Sequence, residues 1–256
     1  MPTHQDLILD QFTKQAVPFA TAPGIKDEEA LKLVVDFTGV GPNDTMLDVA
    51  CGPGLIVCAF AKVVKHATGI DLVPAMIERS LVLQQEKKLT NIIWQVGDIT
   101  PLPYADASFS IVASRYAFHH FLDPLAVMQE MKRVCKPDGK VVMIDVMVSS
   151  DPQKAVAYDR AEKLRDPSHT RALPLTEMES LFQQVGLPAL RQTFYKVAAN
   201  LEDALQRSFP NPGDADKLRR MFVESLENDS LGVGAHRKDG KIHFAYPIAV
   251  LVAEKR

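Results

Sequence analysis

The sequence predicts an α/β protein built on a doubly wound sheet with parallel strands, and three observations predict it. From Thr45 onward, short apolar segments alternate with amphipathic helical ones. The first of these segments runs through a glycine-rich loop straight into a helix. Connections between parallel strands are almost always right-handed, which leaves few topologies other than a doubly wound sheet.

The elements follow in order. The first 43 residues read as helices broken at Ala22-Pro23-Gly24, the second helix opening with acids from Asp27 and running to Phe37. Strand segments are then expected at Met46–Ala50, Ala67–Ile70, Ile92–Val96, Phe109–Ser114 and Lys140–Val148. Helices are expected between them at Leu55–Val64, Ala75–Lys87 and Leu125–Cys135. After Ser149 the rhythm changes to helices near Pro152–Leu164, Thr176–Val185, Leu201–Ser208 and Asp214–Glu227, with strands near Leu190–Ala198 and His243–Ala253. Pro247 in the last strand has no amide to donate, so a bulge or a locally unpaired position is expected there. The expected organisation is a helical cover over residues 1–44, a nucleotide-type core over 45–149, and residues 150–256 completing the same sheet.

Composition removes several classes of function. The 256 residues are 46% hydrophobic, enough for one large core, yet no apolar run approaches the roughly 18 residues of a membrane helix. A net charge of -3 offers no general attraction for nucleic acid or an anionic membrane. The N-terminal residues carry no basic and then apolar export pattern, so a cytoplasmic location is expected. The cysteines Cys51, Cys58 and Cys135 have no metal-ligand spacing and leave one unpaired, which fits a reducing compartment and no metal.

The strongest local signal is Leu47-Asp48-Val49-Ala50-Cys51-Gly52-Pro53-Gly54, a strand opening into a glycine loop that a cofactor can approach closely. A third glycine, expected in a dinucleotide fingerprint, is replaced by Val57. Asp71, at the end of the second strand, is placed to accept from both hydroxyls of a ribose. Asp48 suits a ligand with positive charge, since a pyrophosphate would be repelled, or else it shapes the loop by bonding backbone amides.

Further on come Gly97-Asp98-Ile99, Leu102-Pro103-Tyr104 and Lys136-Pro137-Asp138-Gly139. Together with the loop at Asp48 to Gly54 and Gly69-Ile70-Asp71, their order over residues 45 to 148 resembles the class I S-adenosylmethionine-dependent methyltransferases, in the ubiquinone/menaquinone-biosynthesis-like group. The segment from Arg115 through His119 and His120 to Phe121, with Arg165, Asp166 and His169 beyond it, resembles a Bacillus-type subgroup. The resemblance implies a Rossmann-like sheet of seven strands with the last antiparallel, inserted between the strands at Lys140–Val148 and Leu190–Ala198. It also implies N-terminal lid helices and a helical insertion after the fifth strand, with Pro152–Val185 and Leu201–Glu227 as excursions from the sheet.

The same resemblance implies S-adenosyl-L-methionine as cofactor and a small-molecule methyl acceptor. It assigns Ala50, Gly52 and Gly54 to the methionine end, beside the carboxylate of Asp48, and Asp71 with Leu72 to the ribose and adenine. Met76 falls beside the adenine. Gly97 and Asp98 are placed at the adenine amino group, with the Ile99 amide donating to a ring nitrogen. Arg115 faces the methionine end, and Phe12 lies on the covering helix.

Methyl transfer demands alignment and exclusion of water, with a base only where the acceptor must lose a proton. His119, His120 and His169 are the candidate bases; for the neighbouring pair the alternative is that one packs against the following helix and the other caps a backbone carbonyl, and for His169 that it belongs to a salt-bridged helix end. Tyr116, Tyr158, Arg165, Asp166 and Arg171 are the expected acceptor-side residues, the two tyrosines facing either an acceptor or the core, and a salt-bridged helix end would also account for the last three. A nicotinamide oxidoreductase is opposed by Val57 and by the Gly97-Asp98 segment. A catalytically silent adenosylmethionine binder is left open by the sequence.

Overall fold

The computed structural model describes residues 2–22 and 24–256, so Pro23, within the expected interhelical break, lies outside the described residues. Helix α1 (His4–Thr21) starts at a capping box in which Thr3 accepts from the Asp6 amide while the Asp6 carboxylate accepts from the Thr3 amide. Helix α2 (Glu28–Thr38) is capped by Asp27 and stopped by Gly39 at φ 68°. Then come β1 (Thr45–Val49), α3 (Leu55–Ala61), β2 (His66–Asp71), α4 (Pro74–Glu86), β3 (Ile92–Val96) and β4 (Phe109–Arg115). A short 3₁₀ turn, Phe118–His120, precedes α5 (Pro124–Val134) and β5 (Cys135–Val148). The remainder is α6 (Pro152–Arg165), β6 (Leu173–Pro174), α7 (Leu175–Gln184), β7 (Leu190–Asn200), α8 (Leu201–Arg207), α9 (Asp214–Asn228), β8 (His236–Lys238) and β9 (Lys241–Glu254).

The sheet runs β3-β2-β1-β4-β5-β9-β7, with two short additions, β6 beside β5 and β8 beside β9. Strands β1 to β5 are mutually parallel, and β9 lies antiparallel between β5 and β7 as expected. Period-two alternation divides the buried residues between the faces. Val142 and Ile144 of β5 pack with α2, α3, α6 and α9, whereas Val141 and Met143 pack with α5 and α7.

Of the two outcomes expected at Pro247, the bulge does not form, because β9 stays in continuous register with β7 through Lys196↔Pro247. The locally unpaired position does occur, since pairing with β5 stops at Val146↔Ile248 and Pro247 has no partner on that side. Two other expectations are corrected. Helix α7 is not an excursion: Met178, Leu181 and Phe182 bury it against the sheet face that also holds α5. The fifth strand begins at Cys135, five residues early, with a register shift against β4 between Phe109 and Ile111.

Candidate active site

The chain order reverses direction across the sheet between β1 and β4, and the crevice beyond their carboxyl ends is where open α/β sheets place ligands. A cavity of about 370 Å³ lies there, walled by the loop after β1, the ends of β2 and β4, and Phe12 of α1. Two residues other than glycine in its wall have left-handed backbone, Ala50 at φ 58° and Tyr116 at φ 58°. Each directly follows β1 or β4, a place where such strain is held by the surrounding structure.

Asp48 is 1% exposed, and among the described residues neither carboxylate oxygen has a hydrogen-bond partner. The loop-shaping role is therefore overturned, since no backbone amide reaches it. Burial holds its carboxyl well above the ordinary range, the Arg115 guanidinium pulling it back and Asp71 adding to the rise. An unpaired buried carboxylate in a cavity wall calls for a cation or a strong donor from a ligand.

Gly52, at φ 52°, lines the same wall, and a Cβ added to it would meet nothing within 4 Å. The space in front of it is the cavity itself. Gly54 differs: it is not in the wall, and a Cβ there would run into the Trp94 ring and Ser80. Its expected cofactor role gives way to close packing at the start of α3.

Asp71 already accepts from the Gly52 amide at 2.7 Å and the Val73 amide at 2.9 Å, which ties the end of β2 to the loop after β1. Each oxygen keeps a further lone pair for a ligand. Burial raises its carboxyl to about 6 against these two bonds. Leu72 and Met76 complete this side of the wall. Asp98 and Ile99 also line it, but the Ile99 amide donates to Asp98 at 2.6 Å, so the donor expected to meet an adenine nitrogen is engaged locally. Gly97 falls outside the wall, its amide bonded to the Asp71 carbonyl.

A second cavity of about 370 Å³ adjoins the first and shares Phe12, Phe19, Tyr116 and His120 with it. Its far side comes from α6, β7, α8 and β9. Arg115, at the end of β4, donates to the Ile25 carbonyl at 3.0 Å and lies 4.0 Å above the Tyr116 ring, while its Nε is buried without a partner. Tyr116 and Tyr195 share a hydroxyl hydrogen bond of 2.6 Å. Helix α1 is fastened across both cavities by His4 donating to the His120 carbonyl at 2.7 Å and by Gln15 donating to Asp166 at 3.2 Å.

The structure brings the three expected histidines together but gives them different surroundings. Ring centroids of His119 and His120 are 4.3 Å apart, and those of His119 and His169 are 5.6 Å apart. His119 lines the second cavity, with Nδ1 2.6 Å from Asp145. Burial lowers the His119 imidazolium, but the Asp145 charge and hydrogen bond outweigh it, and the net shift is upward. His120 lies at the border of the cavities, its Nδ1 3.0 Å from the Ser168 carbonyl. Burial, then repulsion from His119, brings it down to about 3. His169 belongs to neither wall. Its Nε2 meets Asp159 at 2.8 Å and its Nδ1 is sealed in the interior, so it is a core residue rather than a base.

Among the acceptor-side candidates, Tyr116, Tyr158, Arg165 and Asp166 line the second cavity. Arg171 does not: it forms an exposed pair with Glu177. Arg165 pairs with Glu162 at 2.6 Å rather than with Asp166, whose Oδ1 accepts from Ser168. Sequence reasoning missed Asp145, Glu162 and Tyr195. Asp145 had a usable signal, because a carboxylate inside the apolar run Val142 to Val148 needs a partner. No group of three or more metal-ligating side chains occurs among the described residues, and no helix there is long and apolar enough to cross a membrane.

A mostly parallel sheet with a glycine loop at its reversal, an unpaired carboxylate beside it and a second cavity alongside is an α/β fold with its crevice where such sheets take ligands. A methyltransferase domain model matches residues 47–143. The chain is 32% identical over 171 residues to the uncharacterized methyltransferase YcgJ of Bacillus subtilis (strain 168), covering 67% of this chain and 68% of that one. It is 29% identical over 197 residues to the demethylmenaquinone methyltransferase of Staphylococcus aureus (strain JH9), covering 76% and 72%. The crystal structure of the Bacillus YcgJ protein superposes with a TM-score of 0.80 at 26% identity, over 90% of this chain and 99% of that one. The chain belongs to the S-adenosylmethionine-dependent methyltransferases. The oxidoreductase reading falls with that finding.

Proposed function

We propose that this enzyme transfers a methyl group to a small molecule, holding S-adenosylmethionine in the first cavity and the acceptor in the second. The observation that carries the reading is the unpartnered carboxylate of Asp48. It suits the ammonium of the cofactor's methionine end, while Ala50 and Gly52 leave the backbone open for that end to approach. Asp71 accepts from the ribose with its remaining lone pairs, and Leu72, Met76 and Asp98 flank the adenine. When bound, the cofactor supplies a methyl group on a positively charged sulfur, which is already a good leaving group.

The chain's own residues then have two tasks. Helix α1 supplies a cover that excludes water, and its Phe12 and Phe19 wall the passage between the cavities; α2 packs instead in the sheet core with α3. Tyr116 and His120 stand at the same border, where an acceptor in the second cavity would be aligned. A cavity of about 370 Å³ suits a small molecule rather than a polymer segment.

Calorimetric titration with adenosylmethionine and, separately, with NAD tests the reading. Adenosylmethionine should bind and NAD should not. Asp48→Asn should weaken adenosylmethionine by about 10- to 100-fold, the scale of a hydrogen bond to a charged group. Equal affinity in wild type and Asp48→Asn would remove the assignment of Asp48. Methyl release in a mixture of cell metabolites, followed by mass spectrometry, tests catalysis itself.

A further inference from the structure

Asp145 occupies an expensive position. It is 1% exposed on β5 between Ile144 and Val146, where an ionised carboxylate is strongly disfavoured unless paired. Its Oδ1 lies 2.6 Å from His119 Nδ1, and its Oδ2 accepts from the His119 amide at 3.3 Å. A carboxylate facing Nδ1 requires the proton on that nitrogen, which leaves Nε2 as the bare acceptor. Among the described residues, Nε2 makes no hydrogen bond, and the ring, 13% exposed, forms part of the second cavity wall. The backbone around the ring is also held, because the His119 carbonyl accepts from both the amide and the hydroxyl of Thr170.

We propose that His119, oriented by Asp145, takes the proton from the acceptor, and that the second cavity accepts compounds whose reacting atom is a weakly acidic hydroxyl on an apolar, ring-sized body. The inference rests on reading the second cavity as the acceptor site. The acceptor's O–H bond breaks, its proton forms an N–H bond at Nε2, and the electron pair stays on the oxygen as the nucleophile. The resulting imidazolium faces the Asp145 carboxylate, an arrangement that favours the charged ring. The body of the acceptor meets Phe12, Phe19, Tyr116, Val146 and Ile248.

The neighbouring imidazoles do not share the task. His120 spends Nδ1 on Ser168 and is a weak base at neutral pH, and His169 is sealed from both cavities. The groups facing His119 are Asp145 from β5, Glu162 and Arg165 from α6, His169 from the segment after α6, and His120 beside it. Burial and Arg165 oppose protonation, whereas Asp145 and Glu162 favour it. His243 and Tyr246 of β9 share the cavity wall.

The test uses para-nitrophenol, whose phenolate is visible by absorbance, added to wild type, His119→Gln and Asp145→Asn between about pH 5 and 8, the range in which histidine changes charge. With wild type, bound probe should ionise about one pH unit below free probe, and either substitution should return it to the solution midpoint. NMR titration of the His119 ring should show its midpoint falling in Asp145→Asn, a response that packing alone would not produce. An unshifted probe midpoint in wild type, absence of probe binding, or a His119 midpoint indifferent to Asp145→Asn would each overturn the proposal. Adenosylmethionine affinity of the same proteins separates the two readings: if it is intact while the probe fails, the base is refuted and the cofactor assignment stands. If Asp145→Asn does not fold, the probe midpoint with His119→Gln decides alone.

Discussion

The two cavities share a border but are built in different ways. The first is made mainly from loops that directly follow β1, β2 and β4, so its chemistry lies within a few residues of each strand end. The second draws on α1, the turn after β4, α6, β7, α8 and β9, and its groups are polarised by partners far away in sequence, such as His119 by Asp145 and Tyr116 by Tyr195. The contrast separates a cavity that local backbone geometry determines, proposed to hold the cofactor, from one that only long-range packing assembles, proposed to hold the acceptor.

The two loop glycines should respond to the same substitution in opposite ways. Gly52→Val should abolish measurable adenosylmethionine binding, a loss of about 100-fold or more, because its side chain would enter the open cavity. The fold should survive with a penalty of about 1–2 kcal/mol for the left-handed backbone. Gly54→Val should instead lower the melting temperature severely through collision with Trp94, since overpacking adds about 1–3 kcal/mol to the same backbone penalty. Calorimetry and thermal melts on both variants distinguish the outcomes, and a well-folded Gly54→Val that has lost only affinity would contradict the packing role.

Asp48 offers the next largest effect. Its buried carboxylate is unpaired in the protein alone, so Asp48→Asn should raise the melting temperature without ligand and reduce the gain produced by S-adenosylhomocysteine. The sign follows from the upward shift of Asp48: its charged form is disfavoured in the native state, and its contribution to stability is lost as pH rises through the native value. A lower melting temperature for the ligand-free variant would show that the carboxylate has a structural partner.

His120 yields a smaller, pH-dependent effect. Its native value of about 3 lies below the 6.5 of a free imidazole, so the unfolded chain takes up a proton that the native one refuses. Its contribution to stability is therefore present above about pH 6.5 and is lost as pH falls toward about 3. Denaturant melts across that window should show wild type losing stability relative to His120→Leu. Parallel curves would place the ring in contact with solvent.

The smallest effect is expected where the sequence reading overreached. Arg171 pairs with Glu177 on the surface, with side chains 52% and 48% exposed, so Arg171→Ala should change stability by less than about 1 kcal/mol and leave methyl transfer unaltered. A loss of turnover would bring Arg171 back to the acceptor site.

The antiparallel last strand was implied only by the family resemblance, whereas the alternation of strand and helix segments, the glycine loop, Asp48 and Asp71 were legible in the amino-acid order, because each is a local pattern. The separate duties of Gly52 and Gly54 were not, since Trp94 of β3 reaches Gly54 from 40 residues away in sequence. Nor were the histidines distinguishable. Three imidazoles look alike in a sequence, and burial and partners alone make His119 a carboxylate-held ring, His120 a neutral one and His169 a core residue. The strand and helix alternation and the glycine loop could be read from the amino-acid order, because backbone periodicity and glycine sterics act over a few residues, while the class of chemistry came from the family resemblance. Tertiary structure decided which polar groups face a cavity and which are satisfied elsewhere, because charge, tautomer and solvation depend on neighbours that the chain brings together only on folding.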